Sequence, residues 1–164
     1  MNANDLIFTR RGLRFRNRHF PSAIGKGGLR DDKREGDGAT PRGWHRITGC
    51  LYRPDRVLPP NDWAIPIRPG DLWSDASGQP DYNLMVRVPY EHSHESLRRA
   101  DPLYDIVLIT DWNWPVATEG KGSAIFLHQW RKAHHPTEGC IAFRRDHLAW
   151  ICARIRPGTR LFVP

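Results

Sequence analysis

The chain has little cysteine, three residues in 164. Their odd number and undistinguished spacing argue against a disulfide framework and fit a reducing compartment. No apolar run approaches the roughly 18 residues that a membrane-spanning helix needs, so no membrane partner is expected. The amino terminus, Met1-Asn2-Ala3-Asn4-Asp5-Leu6-Ile7-Phe8-Thr9-Arg10, lacks a signal-peptide h-region and a small-residue cleavage site. A cytoplasmic location is therefore expected, or a periplasmic one if the chain is a piece of a longer protein. Zinc signatures are missing as well. His128, His134, His135, Cys140 and His147 are numerous enough to ligate, but no cysteine pair stands two residues apart and there is no His-Glu-x-x-His. Adjacent histidines also diverge in extended chain. No metal and no cofactor is expected. There is no repeat and no interdomain linker, and the length suits a single domain, 1–164, with a proper core.

Glycine, proline and tryptophan are abundant, at 14, 14 and 7 residues, which favours strands, turns and ordered loops over a helix bundle. A β-rich globule is the expected class. Residues 6 to 16 read as two alternating strands joined at Arg11-Gly12, and 20 to 25 as a third. Residues 26 to 43 are polar and glycine-rich and carry Lys33-Arg34-Glu35-Gly36-Asp37-Gly38; this loop is long enough to be suspected of a role. Residues 44–53, 82–88, 104–110 and 123–128 supply further strands, separated by proline-marked connections. Apolar positions 148, 151, 152 and 155 follow helical spacing, with Asp146 expected to cap the helix and Pro157-Gly158 to stop it before a strand at 160–163. Glu91-His92-Ser93-His94-Glu95 reads as a polar loop without a role.

The net charge of +7 and pI near 9.8 raise the question of nucleic acid. The arginines, however, are spread from Arg10 to Arg160. The densest cluster, Arg10 to Arg18, alternates with Leu13 and Phe15 as a half-buried strand would. A basic surface equally suits a small substrate with several carboxylates, each able to accept a bidentate guanidinium. A monomer without a nucleic-acid partner is expected.

Chemistry is concentrated in Gly122-Ser123-Ala124-Ile125-Phe126-Leu127-His128 and Pro136-Thr137-Glu138-Gly139-Cys140-Ile141-Ala142-Phe143. The first is a short apolar run that reads as a buried strand over 123–127, with His128 emerging at its end. The second places Cys140 after a glycine in a tight turn. A thiol becomes a good nucleophile when a neighbouring base or positive charge favours the thiolate. A free cysteine is also commonly a small buried hydrophobe. Gly139, which permits close backbone approach, and the exposed N–H groups of the turn favour the catalytic reading for Cys140. Cys50 lacks that setting, and Cys152 reads as helix core.

His128 and Thr137-Glu138-Gly139-Cys140 together resemble the signature of the L,D-transpeptidase, or YkuD-type, family: a histidine followed later by Ser/Thr-His-Gly-Cys. Gly36-Asp37-Gly38-Ala39-Thr40-Pro41-Arg42-Gly43-Trp44 resembles the family's Thr-Pro-x-Gly segment, and Gly25-Lys26-Gly27-Gly28 the glycine turn before it. The resemblance thus spans most of the chain. Three departures mark a divergent subgroup: Glu138 replaces the usual second histidine, Ala142 stands where Arg or Asn is common, and the interval from His128 to Cys140 is short. The Thr-Glu-Gly-Cys form resembles a cytosolic branch of L,D-carboxypeptidases that trims peptidoglycan peptides.

This resemblance implies a mainly β, YkuD-like β-sandwich with a few flanking short helices. It implies catalysis by Cys140 as nucleophile, His128 as base, and backbone N–H groups at Gly139 and Cys140 as oxyanion donors. The implied substrate is the diaminopimelate–D-alanine bond of a stem tetrapeptide, and carbapenem-type inhibitors would acylate Cys140. Thr137, Glu138, Arg144, Asn83 and Trp44 are candidate substrate contacts. For Glu138 a solvent-exposed turn carboxylate, for Arg144 a solvated helix-entry residue, and for Trp44 burial are the plainer alternatives. A transpeptidase is the first alternative to hydrolysis. From another class comes a non-catalytic wall-peptide or nucleic-acid binding module, in which Glu138 and Ala142 mark lost chemistry.

Overall fold

The computed structural model describes residues 2–164. Short alternating segments at the amino end pair first. β1 (Leu6–Thr9), β2 (Gly12–Phe15) and β3 (Arg18–Phe20) form an antiparallel meander, with Leu6, Leu13, Phe15 and Phe20 buried. Next come β4 (Ser22–Ala23), then β5 (Leu29–Arg30) and β6 (Thr40–Pro41), which pair as a small parallel ribbon inside the expected 26–43 loop. β7 (Gly43–Tyr52) is the longest strand. β8 (Ile65–Pro66), β9 (Asp71–Ser74), β10 (Met85–Arg87) and β11 (His94–Ser96) follow. The last elements are β12 (Ile106–Thr110), β13 (Phe126–Gln129), β14 (Ile141–Phe143), α1 (Arg145–Cys152) and β15 (Arg160–Val163).

One ten-stranded sheet organises the fold, in the order β3-β2-β1-β15-β7-β12-β13-β14-β4 with β8 added on β7. β7 serves both halves: residues 43–46 pair with β15 and 47–52 with β12. The two ends of the sheet, β3 and β4, are consecutive in the chain through Pro21, so the sheet curls until its edges approach one another. A second sheet, β10-β9-β11, covers one side.

Strand alternation sends side chains into two cores. From β12, Ile106 and Leu108 join a core with Leu13, Phe15, Phe143 and the inner face of α1, while Val107 joins Trp73, Tyr104, Phe126 and Cys140. The mainly β architecture agrees with the sequence, with one helix among the described residues. Four details differ. The strand expected over 123–127 is displaced to 126–129, because Gly122 and Ala124 adopt φ of +95° and +52° and break the extended run. Asp146 does not cap α1; Arg144 occupies the N-cap position, no side chain caps the helix, and Asp146 sits in its first turn. The helix also ends earlier than the 148–155 pattern suggested, at Cys152. The Glu91–Glu95 segment is not all loop, since β11 begins at His94.

Candidate active site

β13 and β14 run parallel, with Leu127 opposite Ile141, His128 opposite Ala142 and Gln129 opposite Phe143. Leu127, Ile141 and Phe143 turn to the helix-side core. Period-two alternation therefore puts Phe126, His128, Cys140 and Ala142 on the opposite face. Extending the register places Cys140 beside Phe126, one strand across and two residues back from His128. That diagonal corresponds to about 8 Å between Cα atoms, a separation that a cysteine and an imidazole can bridge. Cys140 and His128 line the same cleft, of about 620 Å³.

His128 is 5% exposed, and its Nδ1 lies 2.7 Å from the Gln129 carbonyl oxygen. A carbonyl only accepts, so Nδ1 carries the hydrogen and the neutral ring keeps its lone pair on Nε2. Burial, with the Gln129 hydrogen bond opposing it, pulls the imidazole from its ordinary 6.5 to about 4. The Cys140 thiol donates to the Ala124 carbonyl at 3.1 Å, and the Phe126 N–H reaches Sγ at 3.4 Å. Burial first and the Glu95 carboxylate second push this thiol up to about 12. The resting pair is a neutral thiol and a neutral imidazole. The activated thiolate expected from sequence is not the ground state.

The glycine turn and the Thr-Pro segment converge behind Cys140. Gly139 has φ +138°, and a Cβ there would lie 2.8 Å from the Ala39 carbonyl oxygen. Thr40 Oγ1 donates to the Gly139 carbonyl at 2.7 Å and accepts the Gly25 N–H at 2.9 Å. A Cβ on Gly25 would come within 2.1 Å of the Gly38 carbonyl oxygen and 2.9 Å of Gly139 Cα. Thr137 closes the turn: its Oγ1 donates to the Cys140 carbonyl at 2.6 Å and accepts the Gly139 N–H at 3.1 Å. The Cys140 N–H has no acceptor among the described residues, which leaves it as the free donor beside the thiol.

On the other side Asn83 organises the Ala124 turn. Its Oδ1 accepts the Ala124 N–H and the Trp73 indole N–H, each at 2.9 Å, and its Nδ2 donates to the Trp112 and Asn113 carbonyls. The left-handed Ala124 conformation is thereby held, with its carbonyl on the thiol. Asn83 is 2% exposed and does not line the cleft; the expected substrate contact is replaced by a structural one. Trp44 also lies away from the cleft, packed on Phe162 with the Arg160 guanidinium over its ring. Arg144 is outside it too, paired bidentately with Asp146 on the surface. Thr137 and Glu138 do line the cleft, Glu138 at the rim in an exposed ion pair with Lys26 at 2.8 Å.

Sequence reasoning left out much of the remaining wall: Lys33, Glu35, Asp75, Glu95, Arg99 and Tyr104. The charge-dense Lys33–Gly38 segment was the available signal for the first two. Lys33 is buried and donates to Asp37 at 2.6 Å and to the Arg34 carbonyl. Burial works against the Asp37 carboxylate, but hydrogen bonds from Lys33 and from the Ala39 and Arg34 N–H groups outweigh it and hold Asp37 below its ordinary range. Glu95 and Tyr104 are joined by a 2.5 Å hydrogen bond, and the Tyr104 ring meets His128 edge-on at 5.3 Å. Nothing in the local sequence connects positions 95 and 104 to the cysteine.

Among the described residues no three His, Cys, Asp or Glu side chains gather as metal ligands, and no helix is long and apolar enough to cross a membrane. A family model described as the YkuD L,D-transpeptidase catalytic domain matches residues 4–163. No curated protein and no solved structure matches the chain.

Proposed function

Since the chain belongs to the YkuD family of cysteine-dependent L,D-transpeptidase catalytic domains, we propose that it hydrolyses the diaminopimelate–D-alanine bond of peptidoglycan stem tetrapeptides. The observation that carries this reading is the shared face of Cys140 and His128 in one cleft, with the His128 lone pair on Nε2. Sγ attacks the carbonyl on the L-centre of diaminopimelate and forms the C–S bond as His128 Nε2 takes the thiol proton. The Cys140 N–H faces the developing oxyanion; such donors are worth about 3 kcal/mol each in well-studied hydrolases. Collapse breaks the C–N bond, and His128 returns its proton to the departing amine of D-alanine. The thioester is then attacked by water, whose proton passes to His128. The C–S bond breaks, and the thiol recovers its proton.

Because the resting thiol is protonated, His128 must act as a true general base during attack. Its lowered pKa keeps it unprotonated through the neutral range but also makes it a weak base, so the proton transfer must be driven by formation of the C–S bond. Glu138 is held at the rim by Lys26, so activation of water also falls to His128. Arg131 and His135 line the cleft and suit a peptide rich in carboxylates.

Transfer of the acyl group to an amine is the second reading, favoured by the family's own activity. Mass spectrometry of products from a diaminopimelate tetrapeptide, with and without a D-amino acid, separates the two. Tripeptide alone supports hydrolysis, exchange of the terminal residue supports transpeptidation, and Cys140→Ala abolishes both. An unchanged tetrapeptide in the wild-type sample would leave a binding module. A carbapenem is expected to add its mass at Cys140, and an adduct elsewhere would count against the assignment.

A further inference from the structure

Several carboxylates line the cleft with Cys140, and one of them, Glu95, opposes formation of a thiolate. Glu35 comes from the Lys33–Gly38 segment, Asp75 from just beyond β9, and Glu95 from β11; all three line the cleft with Cys140. Glu35 is positioned by hydrogen bonds from Tyr82 OH at 2.5 Å and Ser123 Oγ at 2.8 Å. Glu95 is positioned by Tyr104 OH. Asp75 Oδ1 is buried and takes no hydrogen bond from any described residue, a desolvated acceptor within a residue that lines the cleft. Nearby cations are committed elsewhere: Lys33 to Asp37, and Arg99 bidentately to Asp101 with its guanidinium over the Tyr104 ring. No ion pair engages Glu35, Asp75 or Glu95 among the described residues.

Three carboxylates from three separate segments, two held in place by neutral donors and the third with a buried oxygen that lacks one, match a ligand that brings a positive charge. We propose that Glu35, Asp75 and Glu95 form a wall that reads the side-chain ammonium of the acyl-donor residue, and that seating this ammonium releases Cys140 for attack. The assignment rests on the reading of the protein as a diaminopimelate peptidase. Burial together with Asp75 and Glu35 raises the Glu95 carboxyl above its ordinary value, and Glu95 in turn raises the Cys140 thiol. Lys33 acts on the thiol in the opposite sense, while Tyr104 and His128 line the same cleft as neutral groups. A bound ammonium cancels the carboxylate field at the sulfur. Recognition and activation are then the same event, and a donor lacking the charge loses kcat as well as binding. The carboxylate beside that ammonium on diaminopimelate falls to Arg131 and His135.

Two measurements on the full chain test this. The first is turnover of the tetrapeptide with a free side-chain amine against the same peptide acetylated on that nitrogen. The wild type is expected to prefer the free amine by at least about tenfold in kcat/KM, with kcat contributing, and Glu95→Gln and Asp75→Asn to lose most of that preference. The second is alkylation of Cys140 by iodoacetamide without peptide, read by intact mass. Glu95→Gln should react about tenfold faster than wild type, with Glu95→Asp close to wild type, because only the charge has been removed in the former. Glutamine still accepts the Tyr104 hydrogen bond, and Asp75→Asn provides a second variant if Glu95→Gln does not fold. Equal preference in wild type and both variants, or an unchanged alkylation rate in Glu95→Gln, overturns the proposal. No turnover of either peptide by the wild type would instead sink the peptidase reading and the assignment that rests on it, a result distinct from turnover without discrimination.

Discussion

Cys140 and His128 are each more than nine-tenths buried, and burial disfavours the charged form of both. Their neutral resting state follows, with a signature in the pH profile. Free-enzyme kcat/KM for the tetrapeptide should lose its acid limb near pH 4, where His128 protonates, instead of near its ordinary 6.5. An acid limb centred at 6 to 7 would show an exposed base. His128→Ala should lower kcat/KM by about two to four orders of magnitude, the usual contribution of a positioned base. Asn83→Ala leaves the Trp73 indole N–H and the Ala124 N–H without their acceptor; a stability loss of about 3 kcal/mol is expected from urea unfolding. The amide character of Asn83 suits peptide recognition, but Asn83 is buried away from the cleft and bonds the scaffold instead. Its burial, which assigns that chemistry to the backbone instead, depends on the packing of Trp73 and Ala124 around it.

Between single side chains and the fold stand two small assemblies, the β13–β14 pair and the ribbon of β5 and β6. The apolar run Ile141-Ala142-Phe143 is short and legible as an ordered element. Its parallel pairing with β13 is not legible, because strand partners are chosen by long-range packing. Thr40 shows the same limit. Its motif was visible, whereas its bond to the Gly139 carbonyl spans 99 positions. Thr40→Val keeps the shape and removes both hydrogen bonds of Oγ1. It should cost about 2 kcal/mol of stability and slow acylation by a carbapenem, measured by intact mass, since Gly139 loses its tether beside Cys140. An unchanged acylation rate would mean that the turn holds itself. Gly122 and Ala124 shift the start of β13 because two left-handed residues cannot continue a strand, a constraint that alanine at position 124 conceals.

Across the whole fold, burial of ionisable groups links stability to pH. Burial holds His45 and His128 below their ordinary value of 6.5. The unfolded chain therefore binds protons that the folded chain refuses as pH falls below 6.5. For His128 the stability present above that pH drains away toward pH 4, by about 3 kcal/mol in total. Urea midpoints measured from pH 7 to 4.5 should fall more steeply in the wild type than in His128→Gln; parallel slopes would remove His128 from the account. The basic exterior plays a separate part. Trp44 and Arg144 sit on surfaces away from the cleft, so Trp44→Ala and Arg144→Ala should leave kcat/KM within about twofold, as surface changes do when they touch no functional group.

Strand-rich composition, the apolar run before His128 and the Gly-Cys turn carried the β class and singled out Cys140 and His128, which the fold places in one cleft, because alternation and turn preferences act over a few neighbouring residues. Position within the assembled sheets sorted the remaining candidates. Thr137 and Glu138 came to the cleft, Asn83 went into the scaffold, Trp44 and Arg144 went to the outside, and Glu35, Asp75 and Glu95 arrived from three distant segments. Those outcomes arise from pairing and burial between parts of the chain that share no local pattern, and burial then set the charge state in which Cys140 and His128 rest.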